Sequence, residues 1–257
     1  MPEFCKAERD GHVLTVTIDR PERMNALHSP AHYELDEIFN DFEKDPNLWV
    51  AILTGAGDRA FSAGNDLKWQ AEGGTRERPD SGFGGITFRF DRTKPLIAAV
   101  NGIAMGGGFE LALAADIIIA AENAIFALPE PLVGLAAMAG GLVRLPRQIP
   151  MKQAMGMILT GRRVPAKEGY QLGFVTEVVP EGKALDAARR WAADIEKCSP
   201  LSIRASLEVV RDGIGYPSVK DAINADYPAI TRMRDSEDFV EGPKAFAEKR
   251  KPNWKGR

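Results

Sequence analysis

Five apolar residues, Leu96-Ile97-Ala98-Ala99-Val100, run without a break into Asn101-Gly102, and soon afterwards the chain reads Gly106-Gly107-Gly108-Phe109-Glu110-Leu111-Ala112-Leu113-Ala114. An unbroken apolar run closed by a turn dipeptide is the pattern of a strand covered on both faces. Alanine and leucine favour a helix, which is predicted to open near Gly107. A buried strand joined to a helix by three glycines requires an α/β fold in which strand and helix pack face to face. It also leaves the first N–H groups of the helix without partners or neighbouring side chains, where the helix dipole adds positive potential. Such a junction suits an anion or a carbonyl oxygen gaining charge. Equally, three glycines could serve only to let a strand and a helix approach closely.

The pattern recurs along the chain. His12–Ile18 alternates and reads as a strand, and Ser29-Pro30 reads as the N-cap and first residue of a helix whose apolar face is Leu35, Ile38, Phe39 and Phe42. Trp49–Thr54 is a second buried strand, and Phe61-Ser62-Ala63-Gly64-Asn65-Asp66-Leu67 a second small-residue junction into a helix. Residues 71–92, rich in glycine and charge, read as a mobile loop or lid. Short strands are predicted at Asp116–Ala120, Ala124–Ala127 and Phe174–Val179. From Leu185 the chain reads as helix to its end, with stops at Gly213 and Gly242-Pro243. Strand-strand-helix units recur loosely, without a strict repeat.

A formal charge of −3 speaks against nucleic acid or an anionic membrane surface as a partner. Cys5 and Cys198, far apart, suggest neither a disulfide framework nor a zinc site, and fit a reducing cytoplasm. No signal peptide and no membrane helix are expected. His12, His28 and His32 have no metal-ligand spacing and read as solvated. Gly55-Ala56-Gly57-Asp58-Arg59-Ala60 and Tyr216-Pro217-Ser218-Val219-Lys220 match nicotinamide-enzyme patterns only weakly, the first because no helix follows it and the second because Pro217 suits a helix start.

Two carboxylates stand out. Glu110 follows the glycines, and Glu130 sits between prolines in Phe126-Ala127-Leu128-Pro129-Glu130-Pro131, an apolar setting expected to raise its pKa. Alone, Glu130 would read as a solvated turn residue.

Taken in order, Phe61–Leu67, Lys94–Gly102, Gly106–Ala112, Phe126–Glu130, Leu159-Thr160-Gly161-Arg162 and Phe246-Ala247-Glu248-Lys249-Arg250 resemble the crotonase (enoyl-CoA hydratase/isomerase) superfamily over nearly the whole chain. Within it the chain is most similar to the carnitinyl-CoA dehydratases. The resemblance implies a spiral of ββα units over residues 1–195 and a helical C-terminal region, 196–257, that builds a homotrimer or a dimer of trimers. It implies an acyl-CoA thioester substrate and no separate cofactor, coenzyme A being part of the substrate. Its oxyanion donors map to Asn65 and Gly107, and its acid–base pair to Glu110 and Glu130. Substrate contacts map to Arg23, Ala26, Ala63, Asp66, Leu67, Pro129 and Lys249, with Arg23 and Lys249 facing the CoA phosphates. Having both acids favours addition or removal of water over a CoA-thioester isomerase or lyase; an RNA-binding or scaffold role fits the acidic charge least. The chain departs from the family at Ala137-Met138-Ala139-Gly140-Gly141-Leu142, beside the acyl pocket. Trp69, Phe83, Phe88 and Phe90 could form an aromatic cage for a quaternary ammonium, or simply pack their loop onto the core.

Overall fold

The strands that the apolar runs foretell assemble into two sheets. The computed structural model describes residues 3–257. In the larger sheet β1 (Cys5–Asp10) pairs antiparallel with β2 (Val13–Ile18), and β2 is followed in parallel by β3 (Val50–Gly55), β5 (Leu96–Val100), β7 (Ile117–Ala121) and β10 (Glu177–Val179). The smaller sheet orders β4 (Ala60–Ser62), β6 (Ile103–Met105), β8 (Ile125–Ala127) and the antiparallel β9 (Val164–Pro165). From β3 to β8, successive strands go alternately to the large and the small sheet. β3–β4 leads into α2 (Leu67–Ala71), β5–β6 into α3 (Gly107–Ala114), and β7–β8 into a 3-10 turn at Glu130–Val133. This is a ββα spiral, and its repeated β-to-α junctions all follow strands of the small sheet.

The large sheet is covered on both faces, which is why its strands read as unbroken apolar runs. Ala51, Leu53, Leu96, Ala98 and Val100 face the main core with Leu35, Phe39 and Phe42 of α1 (Ser29–Lys44). Val50, Ile52, Ile97, Ala99 and Ile119 face Ala184, Ala187, Ala188 and Ala192 of α7 (Ala184–Glu196). α4 (Gly141–Gln148), α5 (Met151–Thr160) and α6 (Ala166–Leu172) complete the spiral. α8 (Pro200–Gly213), α9 (Val219–Asn224), α10 (Pro228–Arg234) and α11 (Glu237–Ala247) pack chiefly on one another.

Several expectations need correction. β1 carries charges along an exposed edge, so its strand pattern was hidden. The N-cap of α1 is His28, not Ser29. Ser29 is the first helical residue, and its hydroxyl donates to the Thr75 carbonyl at 2.9 Å. Residues 71–92 are not a loose lid throughout. Phe83, Ile86 and Thr87 are buried against α1, and Arg89 is bound to Asp36 at 2.6 Å and to Asn40 at 2.7 Å. The run Phe174–Val179 yields a strand only from Glu177, since Phe174 and Val175 turn into the core. Gly242-Pro243 does not end α11. The residues around it hold the helix in place: Glu241 binds Arg250 and the Asn253 N–H, and Gly242 lies 3.2 Å, at its would-be Cβ, from the Trp254 ring. The helical tail does stop at Gly213, where α8 ends, and it also breaks before Ser199, Tyr227 and Ser236; Ser199, Ser218 and Ser236 are N-caps.

Candidate active site

The two glycine-rich junctions meet. Gly106 has φ +53, which favours glycine, and turns the chain from β6 into α3. A Cβ at Gly108 would lie 2.0 Å from the Ser62 carbonyl oxygen, so the end of β4 rests directly on the first turn of α3. A Cβ at Gly64 would lie 3.0 Å from the Gly107 nitrogen. The glycines therefore do both things their sequence suggested: they permit close packing, and the packing brings two junctions together.

Asn65 is held by its neighbours. In the parallel bridge between Leu27 and Asn65, the Leu27 N–H donates to Gly64 O at 2.7 Å and the Asp66 N–H to Leu27 O at 2.9 Å. The Asn65 N–H is left facing the other way. Among the described residues neither it nor the Gly107 N–H, at the first position of α3, donates to a protein acceptor. Two free backbone donors on abutting junctions can share one oxygen.

Buried polar residues fix this geometry, of which Arg20, Asn25 and Ser62 are not among the site residues read from the sequence and Asp66 is. Arg20 bonds the Ala26 carbonyl and reaches Asp66 at 3.0 Å, with both side chains almost fully buried. Asp66 also accepts the Trp69 N–H at 3.0 Å as the N-cap of α2. Asn25, at φ +54, donates to the Ala56 and Ala60 carbonyls, and Ser62 donates to Asn25 O. The signal for these was the loop Arg20–Asn25 itself, whose charged and amide groups lie between two apolar runs.

Glu110 lies on the first turn of α3 and is 3% exposed. Its Oε1 accepts the Gly141 N–H at 2.8 Å. Glu130 opens its 3-10 turn with Oε1 3.0 Å from where a Gly106 Cβ would stand, so both acids border the start of α3. The Glu130 Oε2, shielded from solvent, meets no donor among the described residues. Burial pushes Glu110 up to about 7, and the charge of Glu130 adds to the rise. The N–H groups of Gly141 and Ala139 and the nearby Arg144 oppose it. Burial also raises Glu130.

A carboxyl whose pKa is higher in the fold than in the unfolded chain binds more protons when folded. Stability therefore falls as pH rises from the unfolded value, 4.5, through about 7. Glu110→Gln removes that cost. It is expected to raise stability by roughly 1–3 kcal/mol at pH 8 and to leave it nearly unchanged at pH 4. Urea denaturation at the two pH values checks this; an equal effect at both would contradict it.

The other sequence-derived positions divide. Arg23, Ala26, Ala63, Asp66 and Leu67 gather around Asn65, because the segment 20–27 pairs with 62–66; the Ala63 N–H donates to Met24 O at 2.9 Å. Pro129 directly precedes Glu130 as the N-cap of its turn. The Asp66 carboxylate is occupied by Arg20 and Trp69, so it stabilises the loop. Lys249 stands apart, exposed at φ +55 beyond α11, whose packing runs to α10 and the C-terminal residues.

Two of the three histidines are not solvated, while His12 is half-buried. His28 and His32 are buried, and His12 stacks on Trp49 at 3.6 Å. His32 Nδ1 accepts the Gly84 N–H at 2.9 Å, and burial lowers its pKa to about 3. The four aromatics do not make one cage. Phe83 is buried against Gly107 and His32, Trp69 packs on His28, and Phe88 and Phe90 stack on each other, exposed. Among the described residues no three metal-binding side chains cluster, and no helix is long and apolar enough to cross a membrane.

Comparison with known proteins adds independent findings. The family model for enoyl-CoA hydratase/isomerase matches residues 8–257. Carnitinyl-CoA dehydratase from Salmonella agona is 45% identical over 268 aligned positions that cover all of both chains. Enoyl-CoA hydratase from Mycobacterium tuberculosis superposes with a TM-score of 0.94 at 40% identity, covering all of both chains. Carnitinyl-CoA hydratase from Mycobacterium avium gives a TM-score of 0.79 at 41% identity, covering 99% of each chain.

Proposed function

The chain belongs to the enoyl-CoA hydratase/isomerase family, and from that premise we propose that it catalyses the reversible syn addition of water to a 2-enoyl-CoA thioester. The observation that carries this reading is the pair Glu110 and Glu130 at the head of α3, both raised by burial, beside two free backbone donors. A thioester carbonyl oxygen bound by the N–H groups of Asn65 and Gly107 would have its enolate charge stabilised there, by roughly 3 kcal/mol per donor. Glu110 orients water and takes its proton as the oxygen attacks the β-carbon, and protonated Glu130 delivers a proton to the α-carbon. Two coupled acids titrate as a pair. Burial raises Glu110 strongly, but the Gly141 and Ala139 N–H groups favour charge on it, whereas Glu130 Oε2 meets no donor among the described residues, so the division of roles is drawn from hydrogen-bond geometry. An isomerase needs only one such acid, and a lyase needs no water-activating base.

The acyl group we propose is short and ends in a trimethylammonium, as in carnitinyl-CoA and crotonobetainyl-CoA, because relatives named for carnitinyl-CoA align over the whole chain. The test compares kcat/KM for crotonobetainyl-CoA, crotonyl-CoA and a medium-chain enoyl-CoA. Preference for the charged substrate by at least about tenfold, ~1.4 kcal/mol, is expected. Equal rates would return the chain to generic hydration.

Arg23 and Lys249 are proposed for the CoA phosphates, and Ala26, Ala63, Leu67 and Pro129 for contact with the bound thioester. Lys249 would reach a thioester only across a subunit boundary or after movement of the tail. We further propose that residues 196–257 form the oligomerisation region of a cytoplasmic homotrimer or dimer of trimers. The support is a groove of about 860 Å³ lined by Val210, Ile214, Val219 and Ile223, apolar residues exposed in the single chain.

A further inference from the structure

Arg144 lies on the first turn of α4, the helix that begins at the glycine donating to Glu110. Its side chain folds back over that glycine's neighbour. A Cβ at Gly140, where φ is +115, would come 1.9 Å from Arg144 Nη1, so the guanidinium occupies the space beside the loop. Nη2 donates to the Thr87 carbonyl at 2.6 Å and Nη1 to the Ala139 carbonyl at 3.4 Å. Cζ stands 5.9 Å from the centre of the Phe90 ring. The guanidinium thus ties two segments distant in sequence, 87–90 and 139–141, and the second of them supplies the N–H groups that hold Glu110.

The charges facing this cluster are few. Glu110 is faced by Glu130 from the turn after β8 and by Arg144 from α4. Arg144 is faced by Glu110 and, from the segment before β5, by Arg92, whose own charge is engaged by Asp116 at 2.6 Å. Burial disfavours the Arg144 charge, and Glu110 is the neighbour that restores it. A half-buried cation that gives its hydrogen bonds to two backbone carbonyls and its field to one carboxylate both shapes the loop and biases the acid pair.

We propose that Arg144 is a positioning residue for Glu110. It holds the Ala139–Gly141 loop in the arrangement that hydrogen-bonds the Glu110 carboxylate, and its charge keeps the ionised form on Glu110 rather than on Glu130. The proposal rests on the hydratase reading above. It also explains why the 83–90 segment is tied down: Thr87 and Phe90 anchor the guanidinium that the base depends on.

The test is the pH profile of kcat/KM for crotonyl-CoA in wild type, Arg144→Gln, Arg144→Lys and Glu110→Gln. In Arg144→Gln the acid limb is expected to move up by about one pH unit, so that the rate falls about tenfold at pH 6 and less than about twofold at pH 9. Arg144→Lys, which keeps the charge, should return the limb most of the way to its wild-type position. A merely structural role would lower the rate equally at both pH values, and that result, or an unmoved limb, overturns the proposal. If Arg144→Gln does not fold, Arg144→Met takes its place, since it keeps an apolar stem of similar length and removes the charge; the same upward shift is expected, and its absence overturns the proposal. A dead Glu110→Gln beside an unmoved limb removes Arg144 alone. Full activity in Glu110→Gln removes the hydratase assignment of Glu110, and this proposal with it.

Discussion

Glu110→Gln and Glu130→Gln are each expected to slow hydration of crotonyl-CoA by about 10²–10⁴-fold, the usual worth of a positioned acid or base. Both substitutions keep shape and remove only the proton-transfer group. The glutamine at 110 can still accept the Gly141 N–H through its amide oxygen, so the loop that carries that donor should stay in place. KM should change little, because the thioester oxygen and the CoA moiety do not depend on either carboxyl. The two losses should not add in the double variant, since the acids act on one water and one double bond as a unit. Stopped assays of absorbance loss at several substrate concentrations separate kcat from KM. Near-full rate in either single variant would contradict the assigned role of that residue.

The largest expected effect on stability comes from a residue beside the site. Asp66→Ala should destabilise the fold by about 3–5 kcal/mol, because it leaves the Arg20 guanidinium buried with no counter-charge. The side chains of Arg20 and Asp66 are only 8% and 5% exposed, so water cannot take the place of the missing carboxylate. The cap on α2 is lost as well, through the Trp69 N–H. Asp66→Asn separates the two contributions, since an amide oxygen still caps the helix but carries no charge. The loop that Arg20 and Asp66 hold presents the Asn65 N–H, so activity per folded molecule should fall too. Urea denaturation with the activity of the folded fraction measures both. A loss below about 1 kcal/mol would mean that Arg20 finds another partner and that the loop is held by Asn25 and Ser62 instead.

Much of this architecture is legible in the sequence because period and punctuation agree. Leu96–Val100 and Val50–Leu53 are apolar without alternation, and the structure covers them on both faces with α1 and α7. Gly106–Gly108 announce a tight junction, and the Ser62 carbonyl is what presses on it. Burial of His28 and His32 is not legible, because an imidazole carries no pattern. His32 is buried since Gly84, fifty-two residues away, supplies an N–H to its Nδ1, a partner no local reading can find. The same holds for Arg20 with Asp66 and Arg144 with Thr87, long-range pairs between segments that look like ordinary charged loops. Within 71–92, which reads as mobile for its glycines and charges, Gly84 and Gly85 suggest freedom. Their positive φ values instead let the turn press against Leu111 and the backbone of α1.

The most direct test of the account is the fate of water oxygen. Crotonyl-CoA should be incubated with the enzyme in heavy-oxygen water and the product weighed. Syn hydration by Glu110 and Glu130 requires a 3-hydroxyacyl-CoA that carries one solvent oxygen, with incorporation lost in Glu110→Gln. A product with a shifted double bond or a broken carbon–carbon bond and no solvent oxygen would contradict it.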